Sequence, residues 1–141
     1  MGSPDHAGMN VLGIGIDLVD VARVERMIQR KGQRVTQKLL TAREQAYVAS
    51  LHLPARGIAA RIAAKEAAYK AFQVLPDARG VGWQDLEVLR HADGRPMLQL
   101  HGEAARLAER HGPIELQLSL THSEATAGAV VLLGRPFQGG R

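Results

Sequence analysis

The sequence predicts a small α+β domain with an antiparallel-rich sheet and a long central helix. Three observations predict it. Apolar residues alternate strictly near both ends of the chain, an Ala-rich helical stretch lies between them, and a hairpin signal follows that stretch. At 141 residues the chain fits one domain of the usual size, about 150 residues. Residues 11–134 are read as that domain, 1–10 as a disordered leader or cloning remnant, and 135–141 as a frayed tail.

Each element has its own warrant. In Val11–Val19, Leu12, Ile14, Ile16 and Leu18 alternate as in a half-buried strand. Turning these four toward the core places Gly13, Gly15 and Asp17 together on the opposite face. Asp20 then stands where it can cap a helix reaching about Lys31. Thr41-Ala42-Arg43-Glu44 fits a capping box, and starts a helix reaching about Leu51. Pro54 and Gly57 punctuate before a long Ala-rich helix, Ile58–Val74, which Pro76 closes. Asp85–Arg90 and Met97–Leu100 read as two strands joined through Ala92-Asp93-Gly94-Arg95, with Gly94 free to adopt positive φ. A short helix, Glu103–Arg110, stops at Gly112-Pro113. Ile114, Leu116, Leu118 and Leu120 alternate as a further strand, and Ala129–Leu133 form the last one after a polar turn at 122–126.

Composition narrows the function. With Cys 0, disulfides, thiolate nucleophiles and cysteine-based zinc sites are excluded. No apolar run approaches the roughly 20 residues that span a bilayer, and no charged-then-apolar leader opens the chain. A cytoplasmic protein without membrane contact is expected. Lys+Arg 18 against Asp+Glu 14 gives a net +4, which suits an anionic partner. Aromatics at 4% are too few for a platform that stacks single-stranded nucleic acid.

Four constellations bear on chemistry. Two Gly in a strand mark a close approach by backbone or ligand, and Asp17 beside them either holds a cation or merely borders the following helix. Gly13-x-Gly15 lacks the third Gly of a dinucleotide fingerprint. On the long helix, Ile62, Glu66 and Lys70 share a face at i, i+4 and i+8. Glu66 with Lys70 is either a solvated surface pair or a hard-metal ligand beside a phosphate-neutralising lysine. Arg23, Arg26 and Arg30, with Lys31, form a one-sign stripe on the first helix, either a solvated face or a dock for an acidic partner. His122 and Ser123 sit where a strand gives way to a turn; they could bind phosphate or assist proton transfer, or be structural.

Taken in order, these segments resemble the holo-acyl-carrier-protein synthase family of phosphopantetheinyl transferases. The resemblance rests on Gly13-Ile14-Gly15-Ile16-Asp17, on Arg61-Ile62-Ala63-Ala64-Lys65-Glu66-Ala67-Ala68-Tyr69-Lys70-Ala71, and on Ser119-Leu120-Thr121-His122-Ser123. Leu40–Glu44 and Gly94-Arg95-Pro96 extend it, so that it spans about Met9 to Leu133. It implies transfer of 4'-phosphopantetheine from coenzyme A to a serine of an acidic acyl carrier protein, in fatty acid biosynthesis. It also implies Mg²⁺ held by Asp17 and Glu66, with Lys70 stabilising charge on the phosphates. Arg61, His122 and Ser123 would meet the 3'-phosphate or adenosine end, and Gly94, Arg95 and Pro96 the adenine. Arg23, Arg26 and Arg30 would dock the carrier, and a homotrimer would place its active sites between subunits. The general base stays open among Glu66, a metal-bound water and another group. Ile62 and Thr126 depart from the aromatic residues usual in the family. The alternative is a basic nucleic-acid-binding module without catalysis, whose affinity would fall steeply with salt.

Overall fold

The structure, a computed structural model, describes residues 8–137. Strand β1 (Met9–Asp20) leads through helices α1 (Val21–Lys31), α2 (Gln33–Leu39) and α3 (Ala42–Ala49) to the long α4 (Pro54–Phe72). A hairpin of β2 (Leu86–Arg90) and β3 (Pro96–Leu100) follows, then α5 (Gly102–His111), β4 (Glu115–His122) and β5 (Thr126–Pro136). The main sheet is antiparallel in the order β1-β5-β4, and the hairpin forms a second, two-stranded sheet. The α+β architecture with a central helix is therefore as the sequence predicts.

Helix α4 begins with Pro54 at its first turn, where a missing N–H costs nothing. It starts four residues before the predicted boundary and ends at Phe72 rather than Val74. Its core face is alanine: Ala59, Ala63, Ala64, Ala67, Ala68 and Ala71 are all fully buried. Such a face lets the helix lie close on β1 and β5. The capping box of α3 forms as predicted, with Thr41 accepting from the Glu44 amide and the Glu44 carboxylate accepting from Thr41 N. Asp20 occupies the N-cap position of α1 without a side-chain capping bond. Gly32, at φ 63°, separates α1 from α2, a short helix the sequence reading left out.

The face of β1 is the reverse of the prediction. Gly13 and Gly15 are buried, whereas Leu12, Ile14, Ile16 and Leu18 are 38%, 64%, 62% and 70% exposed. The cause lies in α4. A Cβ on Gly15 would overlap the Ala67 carbonyl, and one on Gly13 would lie 2.5 Å from Ala71 O. Only glycine permits this approach of helix backbone to strand. Cross-strand register places Ile14 opposite Leu132 and Ile16 opposite Val130, both half-buried, so an apolar patch covers the outer face of the sheet. The strand limits differ too. Met9 and Asn10, read as leader, pair with Pro136 and Arg135, read as tail. The remainder of those two segments, residues 1–7 and 138–141, lies outside the described residues.

Candidate active site

Two buried polar networks fix the hairpin against the helices, and sequence reasoning singled out neither. Lys65, on the Ala-rich face of α4, is 1% exposed. Its Nζ donates to Glu44 Oε1 at 2.8 Å, Trp83 O at 2.9 Å and Leu86 O at 2.6 Å. Glu44 in turn accepts from Thr41 N at 2.9 Å and Val88 N at 2.7 Å. Every donor of Lys65 is used, as a buried ammonium requires. Burial pushes the Lys65 ammonium below the ordinary lysine range, against the pull of Glu44. In the second network, buried Glu87 takes a two-pronged bond from Arg43, at 2.7 and 3.1 Å. It also accepts from Thr41 Oγ1 at 2.6 Å and lies 2.8 Å from His101 Nε2. Burial alone would push the Glu87 carboxyl up, but these hydrogen bonds outweigh it and hold it at about 2.

On this frame the predicted carboxylates meet. The alternation of β1 that buries Gly13 and Gly15 also turns Asp17 toward α4. Lys70 Nζ, one helical turn beyond Glu66, donates to Asp17 Oδ1 and Ile16 O, each at 3.0 Å. Lys70 thus reaches across to β1 instead of resting as a solvated partner of Glu66. The Asp17 carboxyl lies near enough to the Glu66 carboxyl for each to feel the other's charge. Burial first, and then the neighbouring Asp17, raise Glu66 above the ordinary glutamate range, while Lys70 and Arg23 pull it down. Two acids sharing one place with a single ammonium between strand and helix form a site that favours added positive charge. Among the described residues no three His, Asp or Glu side chains cluster. A cation held here would complete its shell from water and substrate oxygens, the coordination that Mg²⁺ prefers.

Two cavities adjoin Glu66. The larger, about 510 Å³, also presents Lys70, Arg79, Tyr69, Val81 and Trp83. The smaller, about 180 Å³, presents Arg23, Met27, Leu39 and Ile62 and again reaches Trp83. Arg79, Tyr69 and Trp83 were not singled out in the sequence. Their signal was slight, although Trp83 is the chain's only tryptophan.

Of the remaining predicted residues, Arg23 alone borders a cavity beside Glu66. Arg23, Arg26 and Arg30 are exposed along α1. Gly94, at φ 93°, and Arg95 are exposed at the hairpin tip, with Pro96 opening β3; Arg95 bonds Asp93 at 2.8 Å. His122 is exposed at the end of β4, and Ser123 Oγ accepts from Thr126 N at 3.2 Å in the turn that follows. None of these last five lines either cavity beside Glu66. Arg61 is buried, its guanidinium 4.5 Å from the centre of the Tyr47 ring, with Nε lacking a partner among the described residues. Burial holds that group below the usual arginine range.

An open cleft in a small α+β domain, with Glu66 and Lys70 on its wall and Asp17 bonded to that lysine, is the equipment of an enzyme that handles phosphate groups. Residues 13–130 match the family profile of the 4'-phosphopantetheinyl transferase superfamily, and the chain belongs to that family. It is 40% identical over 130 residues to a holo-[acyl-carrier-protein] synthase of Moorella thermoacetica, covering 90% of this chain and 97% of the relative. It is 42% identical over 123 residues to the synthase of Solibacter usitatus, covering 87% and 98%. Among solved structures, the holo-[acyl-carrier-protein] synthase of Neisseria meningitidis superposes with a TM-score of 0.76 at 27% identity, covering 88% of this chain and 98% of that one. The Bacillus anthracis synthase in complex with CoA (3',5'-ADP) gives 0.72 at 29%, covering 91% and 99%.

Proposed function

We propose that the chain transfers 4'-phosphopantetheine from coenzyme A to a serine hydroxyl of an apo-acyl carrier protein. The observation that carries this reading is the approach of Asp17 to Glu66, 49 positions away in the sequence, with Glu66 and Lys70 on the wall of one cleft and Asp17 accepting from that lysine. In the reaction, the serine oxygen forms a bond to the phosphorus that carries the pantetheine. The bond from that phosphorus to the bridging oxygen breaks, and adenosine 3',5'-bisphosphate leaves with the electron pair. Phosphoryl transfer asks the protein mainly for positioning and charge neutralisation. Lys70 would neutralise charge on the leaving side, and Glu66, which borders both cavities, is one candidate to accept the serine proton, a bound water or another group being the others. Asp17 and Glu66 would hold Mg²⁺, which supplies charge stabilisation to the diphosphate when bound.

The finer features follow from the same surface. Arg23, Arg26 and Arg30 would dock the acidic carrier by complementary charge. The row of exposed apolar side chains on β1, flanked by half-buried Val130 and Leu132 of β5, marks a contact surface and would be covered in a homotrimer. In that assembly a neighbouring copy would supply Gly94, Arg95, Pro96, His122 and Ser123 to the adenosine end, which explains why they stand away from Glu66 within one chain. Arg61, stacked on Tyr47, would act as a prop beneath that end. Among the described residues no helix is long and apolar enough to cross a membrane, and a cytoplasmic role in fatty acid synthesis fits the reading. Intact-mass analysis of apo-carrier protein incubated with this protein, coenzyme A and Mg²⁺ tests it. A gain of one phosphopantetheine, lost with EDTA, is expected; an unmodified carrier overturns the reading.

A further inference from the structure

The two cavities that adjoin Glu66 lie one on each side of it. Along α4, Ile62 belongs to the smaller and Lys70 to the larger, each one turn from Glu66. The only other residue they share is Trp83. We propose that Trp83 is the wall between the two substrates, with the pantetheine arm of coenzyme A against one side of the indole and the serine-bearing segment of the carrier against the other. This rests on the transfer reading given above.

In a displacement at phosphorus the attacking and leaving oxygens lie roughly in line, so the two substrates approach one phosphate from opposite sides. Two cavities meeting at one carboxylate supply those two approaches. Charge assigns them. Lys70 and Arg79 place the diphosphate on the larger side, where Tyr69, Val81 and Trp83 offer an apolar strip to the uncharged arm. Arg23, the first residue of the exposed basic stripe, lies on the smaller side with Met27 and Ile62, which suits a segment of an acidic protein.

The wall is also held firmly. The Trp83 carbonyl accepts from Lys65 Nζ at 2.9 Å, and the adjacent Gln84 Nε2 donates to Gln37 O at 2.7 Å and Leu40 O at 2.9 Å. Asp85 Oδ2 accepts from Gly82 N at 2.9 Å, closing the turn around the indole. A half-buried aromatic side chain that borders both cavities gives large contact area at little entropic cost.

Because Trp83 is the chain's only tryptophan, its emission reports on the wall directly. Acrylamide quenching is measured with coenzyme A alone, with a tryptophan-free carrier whose acceptor serine is replaced by alanine, and with both. Each is expected to protect the indole, and the two protections to add. Trp83→Ala is expected to raise both KM values about ten-fold, while Trp83→Phe keeps them within about three-fold. Protection by one substrate only, protections that fail to add, or a Trp83→Ala effect on a single KM overturns the wall. A wild-type protein that leaves the carrier unmodified overturns the transfer reading instead, and the quenching data still decide the wall.

Discussion

Glu66 meets two opposed demands: the proposed chemistry needs its negative charge, and its surroundings resist that charge. Burial and Asp17 raise it, and the counter-pull of Lys70 and Arg23 does not cancel them. A carboxyl whose folded pKa lies above its unfolded one binds its proton more tightly in the fold, so stability falls as pH rises through that pKa. Glu66→Gln is therefore expected to raise the Tm at pH 7 to 8 while lowering the transfer rate roughly 100-fold or more, measured by thermal melts and carrier mass gain. Asp17→Asn is expected to lower the rate comparably without the gain in Tm, because it abandons the Lys70 ammonium. Glu87 runs the other way. Held at about 2 in the fold, it contributes stability that is complete above about pH 5 and lost as pH falls toward 2. The Arg43 side chain is 63% exposed, so the contribution after solvent screening is of the order of 1–2 kcal/mol. Urea titrations from pH 7 to 3 are expected to show the stability difference between the wild type and Glu87→Gln shrinking as the pH falls.

Among the elements, the contact of β1 with α4 governs the site. Gly15→Ala pushes a methyl into the Ala67 carbonyl, which is backbone and cannot swing aside. A loss of about 3 kcal/mol, at the upper end for overpacking, is expected in equilibrium unfolding, with catalysis falling further because Asp17 moves with its strand. This contact also marks where the sequence was legible and where it was not. The alternation in β1, the capping box of α3, the hairpin and the long helix were all visible, since each is written in local spacing. Which face of β1 turns inward was not, because bulky side chains normally seek the core and here they do not. The buried Lys65 was hidden for a similar reason: lysine on a helix reads as solvated, and its partners come from α3, β2 and the Trp83 turn. Of the candidate site, Asp17, Glu66 and Lys70 were legible through motif order, whereas Trp83 and Arg79 came into view only once the chain had folded around them.

For the molecule as a whole, the outer face of the sheet is a surface without a partner among the described residues. Leu12, Ile14, Ile16 and Leu18 stand exposed in a row, where contiguous apolar area marks a binding partner. Ile14→Arg is expected to shift sedimentation velocity from an assembly to a single chain, and to abolish transfer while leaving far-ultraviolet circular dichroism unchanged; an unaltered sedimentation coefficient with full activity rejects the homotrimer. The two-residue period of a strand carries one more implication. Asp17 sits between Ile16 and Leu18, so a carboxylate and two greasy neighbours occupy alternate sides of the same few ångströms of backbone. Whatever seats itself on the hydrocarbon side bears on the height of the acid on the other, so in the proposed assembly a subunit contact would tune the proposed cation site.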